Sequence, residues 1–204
     1  MKLNLQKNIY QGKLIVFEGP DGSGKTTALN QVKKILEDKH IEYYATKMPS
    51  QRIRSLDVFN DYDNSQDDTV RKSVNLENLT IMVSGDRLLV QDIEIIPALR
   101  QGKVVLCDRY CYTSLARCNT KIIKIIANKF IEPNLVIYAK APQKTLKMRV
   151  KSRKNEKNNH YDDKDVNNQI RIFDELSASN NFFELNTNKQ LDIKKLTSII
   201  SKVI

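Results

Sequence analysis

The chain has 204 residues, enough to bury one sizeable core, and no Pro/Gly/Ser-rich linker or internal repeat divides it, so a single domain spanning 1–204 is expected. Lysine and arginine number 34 against 24 aspartates and glutamates, and the formal charge of +10 suits a polyanionic partner, either nucleic acid or a polyphosphate substrate. Cys107, Cys111 and Cys118 lack Cys-x-x-Cys or histidine spacing, which argues against a disulfide framework or metal cluster; without a signal-peptide core in "MKLNLQKNIYQGK" or any run of about 18 apolar residues, a cytoplasmic protein with no membrane partner is expected.

"LIVFE" (Leu14 to Glu18) has the character of a short buried strand, and after a glycine-rich turn Leu29, Val32, Ile35 and Leu36 fall on one helical face. "EYYATK" (Glu42 to Lys47) predicts a second strand, closed by Pro49. In "DVFNDYDNSQDD", Asp57, Asp61, Asp63, Asp67 and Asp68 occur without a basic residue. This stretch reads as a solvated loop between helices, since the glycine and glutamate placement of a calcium loop is missing. A long helix is expected over roughly Val70 to Arg100, carrying Leu76, Leu79, Val83, Val90, Ile93 and Ile96, with Pro97 kinking or shortening it. "KVVLCD" (Lys103 to Asp108) and "NLVIYAK" (Asn134 to Lys140) are buried-type strands, "FFELN" (Phe182 to Asn186) a weaker one. Ile193, Leu196, Ile199, Ile200 and Val203 line a closing amphipathic helix. Strands alternating with helices imply an α/β protein: a three-layer α/β/α sandwich around a parallel five-stranded sheet.

Gly19-Pro-Asp-Gly-Ser-Gly24-Lys25-Thr26 satisfies the pattern G-x-x-x-x-G-K-[ST], preceded by a strand and followed by a helical pattern, as a phosphate-binding loop requires. Glycines let successive amides turn inward around phosphate oxygens, and the following helix adds its positive dipole end. Gly19, Pro20, Asp21, Gly22, Ser23, Gly24, Lys25, Thr26 and Thr27 are therefore the expected nucleotide-binding residues. Lys25 is expected to reach the outer phosphates of ATP, and the Thr26 hydroxyl to ligate Mg²⁺. "VVLCDRY" ends a strand with Asp108-Arg109-Tyr110. In a parallel sheet that end lies beside the phosphate loop, where Asp108 can hold a magnesium-bound water and Arg109 can neutralise a migrating phosphoryl group. No N-K-x-D guanine signature accompanies them, and a small-molecule kinase fits better than a GTPase.

Along nearly its whole length the chain resembles the thymidylate kinase family of nucleoside monophosphate kinases. The resemblance is carried by "FEGPDGSGKTT", "KMP", "SGDR", "PALRQGKVVLCDRYCYTSLA" and "PNLVIYAKAP", and the stretch from Pro97 to Ala116 is its most specific part. It implies ATP- and Mg²⁺-dependent phosphorylation of dTMP to dTDP. In that reading Lys25 and Thr26 hold ATP phosphates and Mg²⁺, Asp21 contacts the acceptor's sugar, and Asp108 and Arg109 work at the metal and the acceptor phosphate. Arg87 contacts the pyrimidine, Ser114 lines the base pocket, and Pro49, Val83, Tyr110 and Arg117 occupy further acceptor-site positions. Lys25, Asp21, Arg109, Arg149 and Arg153 form the implied catalytic set; Arg149 and Arg153 would lie one turn apart on a helix from about Pro142 to Arg153, within a basic lid at about 141–163. A homodimer is also implied, with the long helix as a contact surface.

Departures from the family pattern gather at the acceptor. Val83 stands where a base-stacking phenylalanine is usual, Arg117 and Cys118 replace a tyrosine-glutamine pair, Lys47 replaces an arginine, Met48 an acidic or aromatic residue, and Lys140 an aspartate. Another or modified nucleotide, or a deoxynucleoside, therefore stays open as the acceptor. A reading from another class, an ATP-binding protein that binds nucleic acid through its charge, is not favoured, because the basic residues are dispersed and no recognition motif with interleaved aromatics accompanies them.

Overall fold

The computed structural model describes residues 1–64, 69, 73–152 and 161–204. Five strands, β1 (Lys13–Glu18), β2 (Tyr43–Lys47), β3 (Val104–Asp108), β4 (Leu135–Lys140) and β5 (Phe183–Asn186), form one sheet in the order β2-β3-β1-β4-β5. All four pairings are parallel, with Leu14 opposite Val105 and Val16 opposite both Cys107 and Val136. The central strands carry apolar side chains on both faces, as a sheet covered from two sides demands. Ile15 and Phe17 pack with Leu29, Val32, Leu36, Leu196 and Ile200 from α1 (Lys25–Asp38) and the carboxyl-terminal helix, Ile193–Val203. Leu14 and Val16 face the opposite layer.

That opposite layer contains the long helix. Asn75 caps its first turn, accepting from the amides of Glu77 (2.9 Å) and Asn78 (3.1 Å). It then runs through α4 (Leu76–Val90), a π-helical turn (Gln91–Ile95) and α5 (Ile96–Arg100). Pro97 does not end the helix. The chain widens just before it, because proline offers no amide to the preceding turn and its ring crowds the carbonyl there. Of the expected start, residues 70–72 lie outside the described residues.

The acidic stretch differs from expectation. Residues 51–54 form α2 (Gln51–Arg54), and Asp57–Asn64 form a helix, α3, where a loop was expected. Phe59 is the cause: it buries against Leu79 and Val83 of α4, with Tyr62 one turn on partly covered by the same cluster. Asp67 and Asp68 lie outside the described residues.

The connection leaving β1 returns on the β3 side of the sheet, whereas the one leaving β3 returns beyond β1. The carboxyl ends of these adjacent strands thus flank a crevice at a topological switch point, where α/β sheets bind ligands. Helices α6 (Cys111–Arg117) and α7 (Lys121–Ala127) follow β3, α8 (Gln143–Lys151) follows β4, α9 (Asp163–Asn180) precedes β5, and α10 is the terminal helix Ile193–Val203. Among the described residues, no helix is long and apolar enough to cross a membrane.

Candidate active site

A cleft of about 1120 Å³ opens at those strand ends, lined on one side by the loop after β1 and on the other by α3, α4 and α6. Gly19, Gly22 and Gly24 have φ of 138°, 80° and 89°, values at which a side chain is strained. Space forbids one as well: a Cβ on Gly19 would lie 2.6 Å from the Ala139 carbonyl oxygen, and one on Gly22 would lie 2.7 Å from that of Leu146. Gly24 ends the loop as the N-cap of α1 without a side-chain cap. The first amides of α1 are thereby left to whatever enters the cleft, and Thr26 and Thr27 are exposed there.

Lys25 is 7% exposed, and its Nζ donates to the carbonyls of Gly19 and Pro20, both at 2.9 Å. Burial lowers its pKa from 10.5 to about 8; Arg109 pushes the same way, against Asp21, Asp108 and Glu18. Asp108 ends β3, 7% exposed, and its Oδ1 is buried without a hydrogen-bond partner among the described residues. An orphaned carboxylate oxygen in a cleft shared with the Thr26 hydroxyl suits a hydrated hard cation.

Arg109 has φ of 70°, unusual for a residue with a side chain. Its guanidinium pairs through Nη2 with Asp21 Oδ1 of the phosphate loop, while Nη1 lies 3.4 Å from both the Gly19 carbonyl and Thr113 Oγ1. Beneath this turn sits Glu18, which the motif reading passed over. Its fully buried carboxylate accepts from the amides of Tyr110 (2.8 Å) and Thr113 (3.1 Å) and from the Thr113 hydroxyl (2.5 Å). Burial raises its pKa, opposed by the Thr113 hydrogen bond and by Arg109 and Arg87. A glutamate closing an otherwise apolar strand was the available signal.

Arg87, 3% exposed, projects from α4 and donates through Nη1 to Ser114 Oγ of α6. Ser84 gives its own proton to the Thr80 carbonyl at 2.7 Å, so Ser114 donates across the 2.8 Å contact to Ser84 and accepts from Arg87. Burial lowers the Arg87 pKa to about 10. One residue earlier, Asp86 accepts from the amide (2.7 Å) and hydroxyl (2.5 Å) of Ser50, holding the turn after the cis Met48-Pro49 bond. Pro49, Val83, Arg87, Ser114 and Arg117 all line the cleft, and Phe59 lines it beside Val83.

Tyr110 departs from the expected placement. It is fully buried, its hydroxyl 2.7 Å from Gln91 Oε1 and 3.0 Å from the Ile131 carbonyl, so its side chain belongs to the core beneath the cleft. Its ring stacks edge-on against Phe130, and that apolar partner outweighs a solvent-facing position. Lys140, the charge-reversed position, is met by Asp174 (2.8 Å) and Glu184 (3.2 Å). Arg149 donates to the carbonyls of Gly22 (3.2 Å) and Thr187 (2.7 Å); Arg153 lies outside the described residues, as does 153–160 of the expected lid.

A sequence model of the thymidylate kinase family matches residues 17–197. The thymidylate kinase of Clostridium novyi (strain NT) is 39% identical over 111 residues, 52% of this chain and 50% of that protein. That of Anoxybacillus flavithermus (strain DSM 21510 / WK1) is 36% identical over 105 residues, 49% of this chain and 46% of that protein. The chain thus spans about half the length of these two relatives. A probable thymidylate kinase of Pyrococcus horikoshii is 36% identical over 153 residues, 70% of this chain and 72% of the relative.

Proposed function

From the premise that this chain belongs to the thymidylate kinase family, we propose that it transfers the terminal phosphoryl group of ATP to a nucleoside monophosphate, with dTMP the acceptor and dTDP the product. One observation carries the reading: Arg109, on the turn after β3, is tied to Asp21 of the phosphate loop, 88 positions away. That pair brings a cation from the acceptor side against the loop that grips the donor. Phosphoryl transfer needs such positioning and charge neutralisation more than covalent catalysis.

In this mechanism the loop amides and Lys25 hold the outer phosphates of ATP. Arg109 draws the acceptor phosphate into line, and the partly exposed Asp21 carboxylate receives a sugar hydroxyl. Arg87, steadied by Ser114, meets the polar edge of the base, while Phe59, Leu79 and Val83 offer its face an apolar wall. Magnesium, when bound, neutralises phosphate charge; Thr26 would ligate it and Asp108 would hold its water, in keeping with the orphaned Oδ1. A cytoplasmic location and a homodimer through the long helix, where Leu89 and Ile93 are exposed, belong to the same proposal.

A second acceptor is favoured by one observation: Val83 offers no ring and Arg117 adds charge in the same cleft. The purified chain, ATP, magnesium and a panel of monophosphates and free nucleosides, followed by ADP release, decides the question. dTMP is expected to give the fastest turnover. A faster modified pyrimidine, purine or nucleoside reassigns the acceptor, and no acceptor-dependent turnover refutes the kinase reading.

A further inference from the structure

A loop that aims its amides inward at phosphate must turn its carbonyls outward, and each buried outward carbonyl needs a donor. Here those donors are identifiable. Gly19 and Pro20 are served by Lys25 at 2.9 Å, within the motif itself. Two further carbonyls of the loop are served from outside it. The Gly22 carbonyl accepts from Arg149 Nη1 of α8 at 3.2 Å, and the Ser23 carbonyl accepts from the Thr187 hydroxyl, just beyond β5, at 2.6 Å.

The two outside donors are joined to each other. Arg149 Nη2 donates to the Thr187 carbonyl at 2.7 Å, and Nη1 lies 3.3 Å from Thr187 Oγ1. Thr187 is itself fixed by its amide, which donates to the Lys140 carbonyl at 2.8 Å. The same elements press on the loop's glycines: a Cβ on Gly22 would lie 3.2 Å from Val150 Cγ2, and one on Gly24 would lie 3.2 Å from Thr187 Cβ.

We infer that Arg149 and Thr187 form a clamp that holds the outward carbonyls of Gly22 and Ser23, and with them the turn that presents Gly24 and the first amides of α1 to the cleft, making both positioning residues for the donor triphosphate. Arg149 then acts through the loop and not as a charge on the migrating phosphoryl group. This rests on the reading of the cleft as an ATP site but not on which acceptor is used.

The test is calorimetric titration of the full chain with Mg·ATP, paired with kcat at saturating ATP and acceptor. Arg149→Met and Thr187→Val each remove a donor while keeping bulk, and each is expected to weaken Mg·ATP about tenfold. Arg149→Lys, which keeps the charge but loses the two-pronged contact, is expected to bind as weakly as Arg149→Met. Thr187→Ser, which keeps the hydroxyl, should stay within about twofold of the parent. Combining Arg149→Met with Thr187→Val should fall well short of a hundredfold loss, since both donors hold one segment. kcat should stay within about threefold throughout. The clamp is overturned if Arg149→Lys restores affinity, if Thr187→Ser is as weak as Thr187→Val, or if Arg149→Met lowers kcat about a hundredfold with Mg·ATP binding intact. Arg149 is only half-buried, so its variants carry the test should Thr187→Val fail to fold. The titration needs no acceptor. Failure of the kinase reading would show as missing turnover in the parent, and failure of the clamp as unchanged titrations.

Discussion

Lys25 leads to a pH dependence that can be worked through from its surroundings. Its pKa is lowered from 10.5 to about 8, chiefly by burial, so in the free enzyme the ammonium is lost as pH rises through that value. Only the ammonium neutralises a triphosphate. kcat/KM for ATP reports the free enzyme, and it should fall above pH 8, reaching about one tenth of its plateau near pH 9. Lys25→Arg keeps a charge throughout this range and should lose the alkaline limb, whatever its plateau.

The same group bears on stability. Because the folded pKa lies below 10.5, the unfolded chain binds more protons between about 8 and 10.5, and stability from this group rises with pH across that window. Below it the buried ammonium costs the fold about 3 kcal/mol. Lys25→Met removes that cost and also two hydrogen bonds worth about 1 kcal/mol each, leaving a gain of about 1 kcal/mol at neutral pH that reaches zero at about pH 9 and turns into a loss of about 2 kcal/mol toward pH 10.5. Steady-state kinetics and thermal melts over about pH 6.5 to 9.5 read both effects. A flat wild-type profile, or an alkaline limb that persists in Lys25→Arg, refutes the assignment.

Lys25→Ala should lower turnover at least about a hundredfold while leaving a cooperative melt; an active Lys25→Ala protein would remove this lysine from the chemistry. Phe59→Leu keeps apolar volume but removes the ring beside Val83, and should raise KM for the monophosphate about tenfold with KM for ATP unchanged. Equal KM values for the acceptor would show that the base does not touch this wall. Placing glutamates at the exposed Leu89 and Ile93 should convert a dimer to a monomer in sedimentation velocity, and an unchanged sedimentation coefficient would exclude that face.

The phosphate loop, the Asp108-Arg109 pair and the parallel order of strands and helices were legible in the sequence because their physics is local. Glycines at positive φ, apolar runs of strand length and a lysine at the start of a helical pattern mark themselves within a few residues. Side-chain direction and carbonyl pairing are settled at longer range. Tyr110 follows Arg109 directly, yet its ring goes to Phe130 and Gln91 in the core. An acidic run that reads as solvated is helical because Phe59 meets a helix still to come in the chain. Thr187 carries no motif; it reaches the phosphate loop from 164 positions away, because β5 joins β4 at the sheet's edge and brings the chain back past Lys140. Local periodicity determines which elements form and in what order, but which outward carbonyl finds which donor is decided only when those elements pack.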